Sequence, residues 1–123
     1  MKRLIFISIV ILSLTSCKKE KLLMEEIYDE PGYAIGTVTS SVSGTFVIKF
    51  NYSYSVGYSE YKGNKKEGGF NQDGKYMMGR QFLVVYKLSE PDKSDINFKY
   101  PINSEQDFLD MLNKFKNNPP TYK

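Results

Sequence analysis

Six carboxylates, Glu60, Glu67, Asp92, Asp95, Asp107 and Asp110, are the side chains in this sequence best suited to acid–base work. Two of them flanking a glycosidic bond, one protonated and one ionised, would make a hydrolase. No spacing singles out such a pair, and most stand in expected turns or beside lysines. The chain has no histidine, which removes imidazole acid–base catalysis, Ser-His-Asp nucleophiles and imidazole metal ligands. Its single cysteine, Cys17, cannot form a disulfide within the chain. Asn71-Gln72-Asp73-Gly74 begins as calcium loops do, but with Gly74 at the sixth position the twelfth falls on Arg80, where an acid is needed. The stretch reads as an Asp-Gly turn. A non-catalytic protein without metal or cofactor is the expectation. Contact chemistry is better supplied, because there are ten tyrosines and no tryptophan. A tyrosine offers a large apolar ring with a polar tip. Tyr58, Tyr61 and Tyr76, which flank a glycine-rich segment, are the candidate contact residues, while Tyr52, Tyr54 and Tyr86 suit a core equally well.

The position of Cys17 gives it a different use. Lys2-Arg3 are followed by the mostly apolar run Leu4–Leu14 and by the small residues Thr15-Ser16. This is the order of an export signal. As a helix those eleven apolar-run residues would span about 16 Å, against ~30 Å for a bilayer core. Leu14-Thr15-Ser16-Cys17 resembles the lipobox of bacterial lipoproteins. The resemblance implies cleavage after residue 16 and lipid attachment at Cys17, leaving a protein held on a membrane by N-terminal acyl chains. Two or more chains at ~0.8 kcal/mol per buried CH₂ would suffice for stable anchoring. Acylation would also remove the only thiol from thiolate or zinc chemistry. Lys18 stands where an inner-membrane retention aspartate would stand, which resembles outer-membrane sorting. The Lys18-Lys19-Glu20-Lys21 run is similar to the export signals of Bacteroidetes-type surface lipoproteins, so surface exposure is a further expectation.

Removing residues 1–16 takes away Lys2 and Arg3 and no acid, so 17 basic residues become 15 against 14 acidic, a net charge of +1. A near-neutral chain lacks the basic stripe of a nucleic-acid binder. Residues 17–32 mix charge with Leu22, Leu23, Met24 and Ile27 and stop at Asp29-Glu30-Pro31-Gly32, which reads as a lipidated tether with at most one helical turn. Extended, such a segment would reach ~50 Å.

From Tyr33 to residue 123 the pattern is that of one β-rich domain. Tyr33–Val42 suits a strand. Phe46, Ile48, Phe50, Tyr52, Tyr54 and Val56 alternate with polar residues, the period of a strand with one face on a core. Tyr58–Lys62 would return as a short strand, Lys62–Lys75 as a surface loop, and Gln81–Leu88 as a central strand covered on both faces. Ser89–Ser94 reads as a turn, and Ile96, Phe98, Tyr100 and Ile102 alternate in a last strand ended by Pro101 and Asn103. Ser104 then caps an amphipathic helix over 104–117, with Phe108, Leu109, Met111, Leu112 and Phe115 on one side.

Gly36-Thr37-Val38, the alternating strand, Tyr61-Lys62-Gly63 and Val84-Val85-Tyr86-Lys87 with Pro91 and Ser94 look like a small β-domain family of unknown function, over residues 36–98. The resemblance supports the strand order and implies no activity. The expected fold is α+β: an antiparallel meander of about five strands, curled or closed into a small barrel, with one C-terminal amphipathic helix. The expected role is a lipid-anchored cell-envelope module that binds an envelope protein or polysaccharide, or supports an assembly. The alternatives are an inhibitor or immunity lipoprotein against an envelope-attacking enzyme or phage, and a carboxylate-based hydrolase.

Overall fold

A computed structural model of the chain describes residues 19–68 and 74–122. The export signal, the lipobox with Cys17, and Asn71-Gln72-Asp73 lie outside these residues. Five strands, β1 (Pro31–Ser43), β2 (Val47–Val56), β3 (Ser59–Gly68), β4 (Gln81–Lys87) and β5 (Glu90–Ile102), form one antiparallel sheet. It is curled into a half-barrel, with a helix α1 over residues 19–29 and a second helix α2, Glu105–Phe115. The expected α+β class, curled five-stranded sheet and C-terminal helix are all present.

The spatial order is β3-β2-β1-β4-β5, which differs from a continuous meander because β4 pairs with the free side of β1. Three hairpin-linked strands followed by a fourth beside the first make a Greek key. The described part of the link from β3 to β4 contains a 3-10 turn, Lys75–Met77, and Met77 packs into the concave core. Gly74, at φ +77°, precedes this turn and lies close against β2. A Cβ there would press on Ile48 and Phe50, and positive φ already disfavours other residues.

Both faces of the sheet are covered, by different means. On the concave side Val38, Ile48, Phe50, Tyr52, Tyr54, Phe82, Val84 and Ile96 form a core that is mostly aromatic on β2. On the convex side Leu83, Val85 and Ile102 pack under Ile27 of α1 and Phe115 of α2. β4 therefore buries Phe82 and Val84 one way and Leu83 and Val85 the other, as its unbroken apolar run requires.

Residues 17–32 depart from the tether expected for them. Leu23, Met24, Ile27 and Tyr28 fall at i, i+1, i+4 and i+5, one helical stripe, and all four pack on the convex core. Ile27 has no exposed surface. Pro31 is the first residue of β1 and disfavours helical geometry just before it. The expected loop over 62–75 is strand as far as Gly68, where β3 ends. Its inward positions carry Tyr61, Gly63, Lys65 and Glu67 in place of an apolar series. The expected turn at Ser89–Ser94 is only Leu88-Ser89, with Lys87 facing Glu90. β5 runs through Pro91 and Pro101 because it is an edge strand, where a missing N–H costs little. Between Leu83↔Asn97 and Phe82↔Pro101 the register slips. That bulge sends Phe98 to the concave core and Tyr100 and Ile102 to the convex one.

Candidate functional site

The curl brings the outer strands β3 and β5 face to face, and side chains join them. Lys65 Nζ lies 3.0 Å from Asp95 Oδ1 and donates to the Ile96 carbonyl at 2.7 Å. Tyr52 and Ser94 hydroxyls are 2.8 Å apart, and Tyr54 donates to the Pro91 carbonyl at 2.6 Å. Tyr52 reaches the seam because its cross-strand partner is Gly63; a Cβ there would collide with the phenol ring.

Asp95 is buried and serves both faces. Its other oxygen, Oδ2, accepts from the Tyr28 hydroxyl of α1 at 2.5 Å, and Asn97 Nδ2 donates to that hydroxyl at 3.1 Å. Burial, and then the negative Asp95 beside it, push the Tyr28 phenol well above the usual range. Burial does the same to Tyr52 despite its Ser94 hydrogen bond. Every buried side-chain polar atom among the described residues has a hydrogen-bond partner, as the cost of an unpaired one demands.

Beyond Lys65 the seam opens into a cleft of about 570 Å³, lined by Lys65, Glu67, Arg80, Phe82, Phe98 and Lys99 among others. Phe82 and Phe98 meet edge to face at 5.0 Å and form its floor. The Arg80 guanidinium lies 5.2 Å from the Phe82 ring, and Lys65 Nζ 5.4 Å from that of Phe98. Both are cation–π distances. Arg80 Nη1 also donates to Met77 Sδ at 3.7 Å. The volume falls in the range of small-molecule sites, ~300–1,000 Å³.

No family model, curated protein or solved structure matches the chain. The site is therefore read from its own residues.

The three candidate contact tyrosines are not brought together. Tyr58 is fully exposed on the β2–β3 turn. Tyr61 stacks on Tyr54 at 5.6 Å and packs against the concave core. Tyr76 lies in the 3-10 turn beyond the other end of β3 and lines the cleft. Ten strand residues at roughly 3.3 Å each separate the Tyr58 end from the Tyr76 end by about 30 Å.

Of the six carboxylates, Glu67 and Asp95 converge, both on Lys65, at 3.8 and 3.0 Å. Asp107 accepts from the Asn103 N–H at the start of α2, and Asp110 from Gln106. The Glu67–Lys65–Asp95 group is an ion-pair arrangement, with both Asp95 oxygens engaged. No group of three or more Cys, Asp or Glu among the described residues is placed to hold a metal ion. No helix among them is long and apolar enough to cross a membrane.

Arg80 enters the sequence reading only as a position where a calcium loop would need an acid, and Lys99 not at all. The available signal was their alternation with rings: Arg80 two residues before Phe82, and Phe98 next to Lys99.

Proposed function

We propose that this chain is a non-catalytic binding module, held on a cell-envelope membrane by acyl chains on Cys17, and that the cleft at the end of the β3–β5 seam is its binding surface. The cleft carries the reading. It joins an aromatic floor to cations at one mouth, whereas the groove over β1, β2 and β3 is lined mainly by the polar side chains of Thr39, Ser40, Asn51, Ser53, Lys62 and Asn64, and the hollow beside α1 carries the acids Glu25, Glu26 and Asp29. The anchor rests on the order of Lys2-Arg3, the apolar run and Leu14-Thr15-Ser16-Cys17.

Two measurements test the proposal. Intact mass of membrane-fraction protein should equal residues 17–123 plus acyl groups, and Cys17→Ser should abolish both the acyl mass and membrane retention. An unacylated chain starting elsewhere sinks the anchor. A photo-reactive residue at Lys99 should capture a partner in cells that the same residue at Asn64, on the opposite face, does not. Equal labelling from both positions sinks the cleft.

One observation favours the inhibitor or immunity alternative. The β1–β2 turn, closed by Gly44 N–H to the Val47 carbonyl at 2.7 Å, presents Phe46 with 83% of its surface exposed. A projecting ring on a tight hairpin suits insertion into another protein's cleft. On that reading Phe46→Ala, and not a cleft substitution, abolishes partner capture.

A further inference from the structure

Resting on the binding-module reading, we infer that the cleft takes a ligand with one anionic head, a carboxylate or its equivalent, on an apolar body. The charges around the mouth differ in how they are satisfied. Lys65 is neutralised by Asp95 and Glu67 and hydrogen-bonded to the Ile96 carbonyl. Arg80 and Lys99 have no carboxylate partner among the described residues, yet both line the cleft. Two cations without a carboxylate partner among the described residues thus line a cleft floored by Phe98 and Phe82.

Arg80 is the better placed of the two. Its guanidinium is held beside the Phe82 ring, and one of its nitrogens is engaged with Met77 Sδ. A guanidinium has five N–H donors in a planar fork that matches a carboxylate bidentately. Among the described residues, Met77 Sδ is the one hydrogen-bond acceptor that fork meets. Docking an anion would therefore lose little side-chain freedom, because ring contact and sulfur contact already restrict the group. Lys99 adds a second charge from β5, whose backbone is fixed locally by Lys99 N–H donating to Asn97 Oδ1 at 3.1 Å. The floor supplies what a small hydrophilic anion cannot use: the partly buried ring of Phe98, held edge to face on Phe82, presents apolar surface to the cleft. An anion without an apolar body would gain only the screened attraction of two exposed cations. An apolar body without the anion would leave both cations beside it uncompensated.

The same chemistry is offered by a planar aromatic acid and by a medium-chain fatty acid. The test titrates 2-naphthoate and decanoate into the full chain in nanodiscs, with protein-free nanodiscs as blank and 2-naphthalenemethanol as the uncharged control. Saturable binding of at least one acid is expected, with the alcohol at least tenfold weaker. Whichever acid binds tighter identifies the shape of the body. Arg80→Gln should weaken the preferred acid roughly tenfold or more, as loss of a charge-assisted hydrogen bond does, and Arg80→Lys should restore part of the loss. Both variants change an exposed side chain, and unchanged melting temperatures will establish that they fold. Failure of both acids to saturate, or equal binding of the alcohol with no effect of Arg80→Gln, overturns the inference. The binding-module reading fails separately, through the Lys99 photo-capture: a captured partner that neither acid displaces leaves the module standing and removes this ligand class.

Discussion

Ile27→Ala separates a docked helix from a free tether. Ile27 has no exposed surface and packs with Leu83, Val85, Ile102 and Phe115, from four different elements of the convex core if its own is counted with theirs. Truncating a fully buried isoleucine to alanine removes its transfer free energy and leaves a cavity, together about 2–5 kcal/mol. For a domain of this size each kcal/mol moves the melting temperature by roughly 4–8 °C, so a loss of about 3 kcal/mol lowers it by roughly 12–24 °C. Leu22→Ala is the internal control. Leu22 is more than half exposed on the same helix, and its truncation should stay within about 0.5 kcal/mol. Thermal and urea unfolding followed by circular dichroism would read both. Limited proteolysis of Ile27→Ala should also open residues 19–29 to cleavage if the helix lifts before the sheet melts. Ile27→Ala and Leu22→Ala melting within 2 °C of each other, with equal protease resistance, would refute the docked helix.

Other expectations follow from the seam and the caps. Lys65→Met strands a buried Asp95 without its cation and should cost about 3–5 kcal/mol in urea unfolding, whereas Lys65→Met with Asp95→Asn should recover much of the loss; an additive double mutant would contradict the pairing. Tyr28→Phe deletes the hydroxyl that bonds Asp95 and Asn97, and about 1–3 kcal/mol of stability should go with it. Alkaline pH acts on the same group. The phenols of Tyr28 and Tyr52 are raised in the folded state, so their contribution is complete below the unfolded value of about 10 and is lost as pH climbs above it. Absorbance at 295 nm should show the phenols of Tyr28 and Tyr52 ionising only as the protein unfolds. Ser104 Oγ accepts from the Asp107 N–H at the start of α2, and Ser104→Ala should cost about 1 kcal/mol in the same melts.

What the sequence made legible follows from which strands carry their own pattern. β2 alternates because Ile48, Phe50, Tyr52 and Tyr54 fill one core while Lys49, Asn51 and Ser53 face away from it, and β4 is apolar throughout because two cores meet at it. β3 has no such pattern. Gly63 yields its space to Tyr52, and Lys65 is satisfied by an acid 30 residues away, so the strand exists through its partners' side chains. α1 was legible in principle, through the spacing of Leu23, Met24, Ile27 and Tyr28, but the charges between them and the nearby cysteine suggested a leash. Pro91 and Pro101 read as strand breakers because edge position cannot be read from a single sequence. The cleft was the least legible feature. Its residues come from β3, the β3–β4 link, β4, β5 and the C-terminal tail, and only the curl of the sheet assembles them.

The docked α1 has a consequence for geometry at a membrane surface. On a chain acylated at Cys17, only Lys18 stands between the lipidated residue and Lys19, which is already helical; the two intervening Cα steps cover no more than about 7 Å in any conformation. The ~50 Å leash suggested by an extended segment is gone. A domain of about 100 residues has a radius of gyration near 13 Å, so its whole working height is a layer a few nanometres deep. For a chain so anchored, encounter would be a lateral search, with collision frequency set by surface density. A partner that stands taller than this layer, or diffuses freely in the bulk, must present its contact site close to the lipid headgroups to be met at all.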